Sequence, residues 1–312
     1  MKTILCALIL VVGAAAPASA QTNEDWHPAP GHPTLALWPH GAPGAVTATG
    51  PERSFTTAND KLVAGRPVMR IGNVTDPTIT FYAAPKTHNS GAAVVVFPGG
   101  GYQILAMDLE GTEVCAWLNS IGVSCVLLKY RVPQTGPYPK SAEALEDAQR
   151  AMGMVRERAA AWHFDAERIG VVGFSAGAYL AAALSTHYEQ RLYAAVDGAD
   201  ALSCKPDFAM VIYPGNLSIA EKNFEFNPAI PVTAAVPPTF LVQAEDDPVH
   251  VENAIDYFMA LKQAGVPAEL HVYAQGGHGY GLRRTELPIT GWPRLAERWL
   301  RTINVLPGAA GR

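Results

Sequence analysis

The sequence predicts an α/β protein built on a mostly parallel central sheet with helices on both faces. Three observations carry that prediction. From about residue 68 onward, short apolar runs alternate with longer stretches of helical period. The apolar runs are near-continuous instead of alternating, which marks strands buried on both faces. No internal repeat or linker divides the chain, so one domain over residues 21–306 is expected, with a flexible tail at 307–312.

The elements follow in order. "TITFYAA" (78–84) and "GAAVVVFPGG" (91–100) read as strands separated by a turn at Asn89-Ser90-Gly91. "GTEVCAWLNSIG" reads as a short amphipathic helix ending at Gly122, and "VSCVLLKYRV" as a strand. "SAEALEDAQRAMGMVRERAAAWH" predicts a long helix with Ser141 as its cap and Ala144, Ala148, Met152 and Val155 on one face. "RIGVVGF" (168–174) is a strand feeding an Ala-rich helix. "FAMVIYPG" (208–215) and "PTFLVQAEDD" (238–247) are further strands, the second followed by the helix "VENAIDYFMALKQAG" and the strand "AELHVYAQGG". "GWPRLAERWLRTI" closes the chain as an amphipathic helix. Residues 216–237, Pro-rich and aperiodic, read as an excursion above the sheet, and residues 21–55 as an extended surface arm.

Composition narrows the function. A chain of 312 residues with 49% hydrophobic content and a net charge of −5 carries scattered charges and no basic stripe for a nucleic acid. Lys2, the apolar run "ILCALILVVGAAA" and the small residues "APASA" have the layout of a signal peptide cut after Ala20. The run is too short to span a bilayer, so export to a secreted or periplasmic location is expected, with no membrane partner after cleavage. Cys115, Cys125 and Cys204 remain in the mature chain; the first two lie in apolar surroundings typical of buried thiols, and no disulfide is expected. His27, His32 and His40 on the arm read as solvent histidines, not as a metal site.

In an open parallel sheet, ligands bind beyond the carboxyl ends of the strands. After strand 168–174 stands Ser175, within Gly173-Phe174-Ser175-Ala176-Gly177. A serine on a sharp strand-to-helix turn requires small neighbours two positions away, and its hydroxyl then stands clear of the sheet. A hydroxyl needs a base. His278 follows a strand within "HVYAQGGHGYG" and is the histidine best placed to serve; His271 reads as packed in the strand and His250 as a loop neighbour of the acid. The acid comes from Glu245-Asp246-Asp247 at another strand end, in the chain order Ser–Asp–His. Counting from the strand favours Asp247, and counting back from the next helix favours Asp246; Asp247 is preferred. "VVVFPGGGY" supplies side-chain-free backbone for an oxyanion hole, with Gly100 or Gly101 and Ala176 as the expected donors. Neither a GxGxxG nor a P-loop lysine follows, so the loop does not read as a phosphate cradle.

With these residues in hand, the chain resembles the α/β-hydrolase superfamily, and within it the secreted acetyl xylan esterase/feruloyl esterase-like branch related to prolyl oligopeptidases. The blocks "LWPHGAPGA", "FPGGGYQILAMDLEGTEVCAWLNSIGVSCVLLKYRVP", "GFSAGAYLAA", "QAEDDPVHVENA" and "PAELHVYAQGGHGYGLR" carry the resemblance. It implies Ser175 as nucleophile, Asp247 as acid and His278 as base, and ester hydrolysis through an acyl-enzyme without cofactor or metal. The expected substrates are small-molecule or oligosaccharide esters, such as acetylated xylan. Trp38, Tyr102, Tyr280 and Trp292 are candidates for stacking on sugar rings. A serine exopeptidase, a general carboxylesterase and a catalytically silent binding protein are the rival readings.

Overall fold

A computed structural model describes residues 26–44 and 48–308. The expected signal peptide (1–20) and most of the expected tail lie outside the described residues. Eight strands form the main sheet: β1 (Thr34–Ala36), β2 (Thr78–Tyr82), β3 (Ala93–Phe97), β4 (Ser124–Lys129), β5 (Ile169–Phe174), β6 (Ala209–Ile212), β7 (Thr239–Ala244) and β8 (Ala268–Tyr273). Their spatial order is β1-β2-β4-β3-β5-β6-β7-β8. β2 runs antiparallel to both β1 and β4, and every other neighbouring pair is parallel. β3, β4, β5, β6 and β7 are buried at every residue, which is why they read as near-continuous apolar runs, broken only by Ser124 and Lys129 in β4 and by Thr239 and Gln243 in β7.

Five α-helices cover the sheet: α1 (Glu113–Ser120), α2 (Ala142–Arg158), α3 (Ala176–His187), α4 (Glu252–Gln263) and α5 (Trp292–Thr302). α1 and α5 share one face, where Trp117 meets Trp292 edge-on and Trp292 meets Phe174 of β5. α2 packs on α3 across the other face, under the side of β5 that carries Gly173. The prediction of a mostly parallel sheet with helices on both faces therefore holds.

Several local expectations need correction. Ser141 occupies the N-cap of α2 but makes no capping hydrogen bond, and the helix ends at Arg158 instead of His163, which adopts φ +61°. The arm is not featureless. It contributes β1, and Arg53–Ser54 and Arg70–Gly72 join Ile104–Ala106 in a three-stranded sheet beside the glycine loop. Trp38 ties the arm to the core, its Nε1–H donating to Asp147 Oδ1 at 2.8 Å. Asp147 in turn accepts both the backbone N–H and the guanidinium Nε–H of Arg131, so a buried carboxylate is matched by a buried cation. The excursion at 216–237 holds a two-stranded ribbon, Ser218–Ile219 against Glu225–Phe226.

The expectation of free thiols at Cys115 and Cys125 is overturned. The turn from α1 into β4 brings their Cα atoms to 5.2 Å and the sulfurs are bonded. Apolar surroundings suit a buried disulfide as well as a buried thiol, so that signal did not discriminate. Cys204 is buried and free.

Candidate active site

Ser175 begins the site. It adopts φ 54°, ψ −118°, a conformation a side-chain-bearing residue takes only at a cost of about 1–3 kcal/mol. The surrounding glycines permit it by close approach. A Cβ on Gly173 would lie 1.9 Å from the Gly177 carbonyl oxygen, and a Cβ on Gly177 would lie 2.1 Å from the Phe97 carbonyl oxygen. The turn thus packs β5, α3 and the end of β3 backbone against backbone. Ser175 is left at the N-cap of α3, over the positive end of the helix.

His278, in the loop after β8, comes to Ser175 from the opposite side of β6 and β7. Its Nε2 lies 2.8 Å from Ser175 Oγ. Its Nδ1 lies 2.9 and 3.1 Å from the two carboxylate oxygens of Asp247. A nitrogen facing only carboxylate oxygens carries the proton, which leaves Nε2 as the acceptor for the serine hydroxyl. Asp247 is fully buried at its side chain and also accepts the Val249 N–H at 2.8 Å and the Gln243 amide at 3.2 Å. These donors compensate for taking a carboxylate out of water.

The adjacent acids have different partners. Asp246 makes no hydrogen bond to His278; its Oδ1 accepts the N–H groups of Gly276 (2.9 Å) and Gly277 (2.7 Å). It therefore holds the loop that carries the imidazole. His250 is a loop neighbour, its carbonyl accepting from Gln243 and Asn253. His271 pairs with Glu269 at 2.7 Å and lies away from the site.

The glycine loop after β3 lies against the serine turn: a Cβ on Gly99 would come within 2.9 Å of Ser175 Cβ. Gly99 spends its N–H on Glu110 Oε2 at 2.7 Å, whereas among the described residues no acceptor takes the N–H of Gly100, Gly101 or Ala176. Those three are the donors expected from the sequence. Trp38, Tyr102, Tyr280 and Trp292 are all buried, so none is available as an exposed sugar platform. Trp292 instead donates its indole N–H to the Gly281 carbonyl at 2.9 Å, fixing the far end of the His278 loop.

Two residues of the site escaped sequence reasoning. Glu110 is buried within a five-residue π turn, Asp108–Thr112, and burial pushes its carboxyl above the ordinary range despite hydrogen bonds from Tyr213 and Gly99. Tyr213, just past β6 at φ 39°, donates its hydroxyl to Glu110 Oε1 at 2.8 Å and presents its ring edge-on to His278 at 5.1 Å. An acidic residue among loop residues and a tyrosine at the end of an apolar run carry no sequence signal of their own. Among the described residues no group of three or more His, Cys, Asp or Glu is arranged to hold a metal.

Comparison with known proteins gives the geometry its context. A model of the prolyl oligopeptidase family matches residues 142–290, the stretch from α2 through the His278 loop. An acetylxylan esterase of Xylanibacter ruminicola is 30% identical over 219 residues, covering 62% of this chain and 42% of its own. The endo-1,4-beta-xylanase B of Butyrivibrio fibrisolvens is 27% identical over 217 residues, covering 64% and 34%. The chain therefore spans less than half the length of these two curated relatives. The crystal structure of an acetyl ester-xyloside bifunctional hydrolase from Caldicellulosiruptor lactoaceticus is 37% identical, covers 74% of this chain and 89% of its own, and superposes with a TM-score of 0.65. With the sheet order and the strand-to-helix serine turn already established, this chain belongs to the α/β-hydrolase superfamily, in its acetyl xylan esterase-like branch.

Proposed function

We propose that this protein is an exported serine esterase that removes short, acetyl-type acyl groups from carbohydrate such as xylan. The observation that carries the reading is the run Ser175 Oγ–His278 Nε2–His278 Nδ1–Asp247, at 2.8 and 2.9 Å, beside a glycine loop with unspent amides. In the first step His278 Nε2 takes the serine proton as Ser175 Oγ attacks the ester carbonyl. The amides of Gly100 or Gly101 and of Ala176 hold the tetrahedral oxyanion, and Asp247 stabilises the imidazolium. His278 then protonates the leaving alcohol, and water repeats the sequence on the acyl-enzyme.

The names of the acetylxylan esterase and the acetyl ester-xyloside hydrolase support the acetyl-carbohydrate substrate class. The Cys115–Cys125 disulfide supports export, because such bonds persist in oxidising compartments. Among the described residues no helix is long and apolar enough to cross a membrane.

Ser175→Ala should abolish release of acetate from acetylated xylan and of p-nitrophenol from p-nitrophenyl acetate, with folding intact. It should also abolish labelling by a fluorophosphonate. Substantial turnover by that variant would overturn the assignment. The prolyl oligopeptidase family match favours a peptidase as the rival, and aminoacyl amides belong in the same panel. Turnover of amides above esters would make the rival the better reading.

A further inference from the structure

The glycine loop owes its shape to a side chain from another element. Its hydrogen bonds can be followed group by group. The Pro98 carbonyl accepts the Tyr130 hydroxyl at 2.6 Å. The Gly99 N–H goes to Glu110 Oε2, and the Gly99 carbonyl accepts the Ala106 N–H at 3.0 Å. The Gly100 carbonyl accepts the N–H groups of Gln103 and Ile104 at 3.0 and 3.2 Å. Of these anchors only Glu110 acts on the N–H side of the loop, the side that the oxyanion donors share. Its carboxylate is within reach of the nucleophile turn, since a Cβ on Gly99 would lie 2.7 Å from Glu110 Oε2 and 2.9 Å from Ser175 Cβ.

The other oxygen of the same carboxylate reaches the base. Oε1 accepts the Tyr213 hydroxyl, and that hydroxyl accepts the Gly281 N–H at 3.1 Å, three residues beyond His278. Glu110 thus has one oxygen on the oxyanion loop and the other, through Tyr213, on the segment that carries the imidazole. The charged and titratable groups facing it are Tyr213 after β6, Tyr130 after β4, His278 and Tyr280 on the last loop, and Asp108 on its own turn. A π turn is the local device that aims it inward, and such turns recur at functional sites.

We propose that Glu110 is a positioning residue of the esterase reaction: by accepting Gly99 N–H on one oxygen and Tyr213 O–H on the other, it fixes the glycine loop so that its remaining amides face the oxyanion formed at Ser175. The proposal rests on the reading of Ser175, His278 and Asp247 as nucleophile, base and acid. Interactions made only with the oxyanion raise kcat and leave ground-state binding alone. Removing one oxyanion donor outright costs about 10²–10³ in kcat, so loosening the loop without deleting a donor should cost roughly 10–10².

The test uses the whole chain and p-nitrophenyl acetate, with a trifluoromethyl ketone as a probe that forms a tetrahedral adduct. Glu110→Ala should lose roughly 10–10² in kcat with KM within about twofold, and its affinity for the ketone should fall in step with kcat/KM. Glu110→Gln retains an oxygen for the Gly99 N–H but replaces the acceptor for the Tyr213 hydroxyl by a donor, so it should recover part of the loss. Tyr213→Phe, which removes a hydroxyl and keeps the ring, should lower kcat several-fold at unchanged KM and decides the matter if Glu110→Ala does not fold. Wild-type kcat in Glu110→Ala, no recovery in Glu110→Gln, or a change confined to KM in Tyr213→Phe would each overturn the proposal. Ser175→Ala run alongside separates the two readings: turnover retained there defeats the triad reading itself, whatever Glu110 does.

Discussion

The two neighbouring aspartates offer the sharpest test of the site, because the same substitution should have consequences of very different size one residue apart. In Asp247→Asn the Val249 N–H, 2.8 Å from Oδ1, selects the amide oxygen for that position, since an amide nitrogen there would oppose it donor to donor. The NH₂ group then replaces Oδ2, which lies 2.9 Å from His278 Nδ1 and 3.2 Å from the Gln243 amide nitrogen. An amide hydrogen aimed at Nδ1 favours the tautomer with the proton on Nε2, and that nitrogen can no longer accept from Ser175. The remaining 3.1 Å contact to Oδ1 keeps some of the productive tautomer. The expected loss in kcat is therefore about 10²–10⁴-fold, or ~3–5 kcal/mol of transition-state stabilisation. Asp246→Asn is different. Both glycine N–H groups meet the single oxygen Oδ1, which an asparagine retains, so the loss should stay within about fivefold. Initial rates with p-nitrophenyl acetate near neutral pH measure both. An Asp246→Asn loss equal to that of Asp247→Asn, or an Asp247→Asn rate within tenfold of wild type, would refute the reasoning.

Other expectations concern what holds the site in place. Gly177→Ala would place a Cβ 2.1 Å from the Phe97 carbonyl oxygen and 2.7 Å from that of Pro98, so it should cost about 1–3 kcal/mol or more and reduce kcat as α3 is displaced. A urea midpoint and esterase rate both unchanged would count against so close a contact. Burial raises the Asp200 carboxyl, but the Val196 N–H, the Tyr193 hydroxyl and Arg150 outweigh it and hold it below its ordinary value of 3.8. Its contribution is therefore present above that value and lost as pH falls through the lowered one: Asp200→Asn should be about 1.5–3 kcal/mol less stable near neutral pH, with the gap to wild type closing in acid, and a pH-independent gap would contradict this. The Cys115–Cys125 bond closes a loop of sequence separation 10, so replacing both residues by alanine should lower unfolding free energy by roughly 2–3 kcal/mol, measured by urea denaturation.

How far the sequence reaches is visible in particular residues. β3 to β7 were legible because burial on both faces favours apolar side chains along nearly the whole strand, as in Ile169–Phe174. β1 was not, because Thr34–Ala36 is too short to show a period. Ser175 and His278 stood out because both follow strand ends. The order of Asp246 and Asp247 was harder: the chain turns after Ala244, with Asp247 N–H bonding back to its carbonyl, so strand alternation does not continue to either acid. Only the path of the loop at 274–278 determines which carboxylate meets the imidazole. Glu110, Tyr213 and the Arg131–Asp147–Trp38 cluster are joined across sequence separations that no local pattern encodes. The disulfide needed the distance between two elements, which composition does not contain.

These cases divide along a physical line. The groups assigned to the chemistry sit at the ends of strands, where the sheet itself brings them together, and residue type is enough to find them. The groups that hold them are carboxylates that accept backbone N–H donors, Asp247 and Glu110 buried and Asp246 at the surface, and any carboxylate at the right point of the fold would serve. Asp246 accepts from Gly276 and Gly277, Asp247 from Val249, and Glu110 from Gly99. Each joins a glycine-rich or turning segment, which has little rigidity of its own, to a part of the molecule that does. A buried carboxylate is costly unless it is met by donors, and a glycine loop is mobile unless its amides are taken; pairing them removes both penalties at once. It follows that the His278 loop and the glycine loop at Gly99 are held before substrate arrives, which is what an oxyanion site requires if its dipoles are not to reorganise during the reaction.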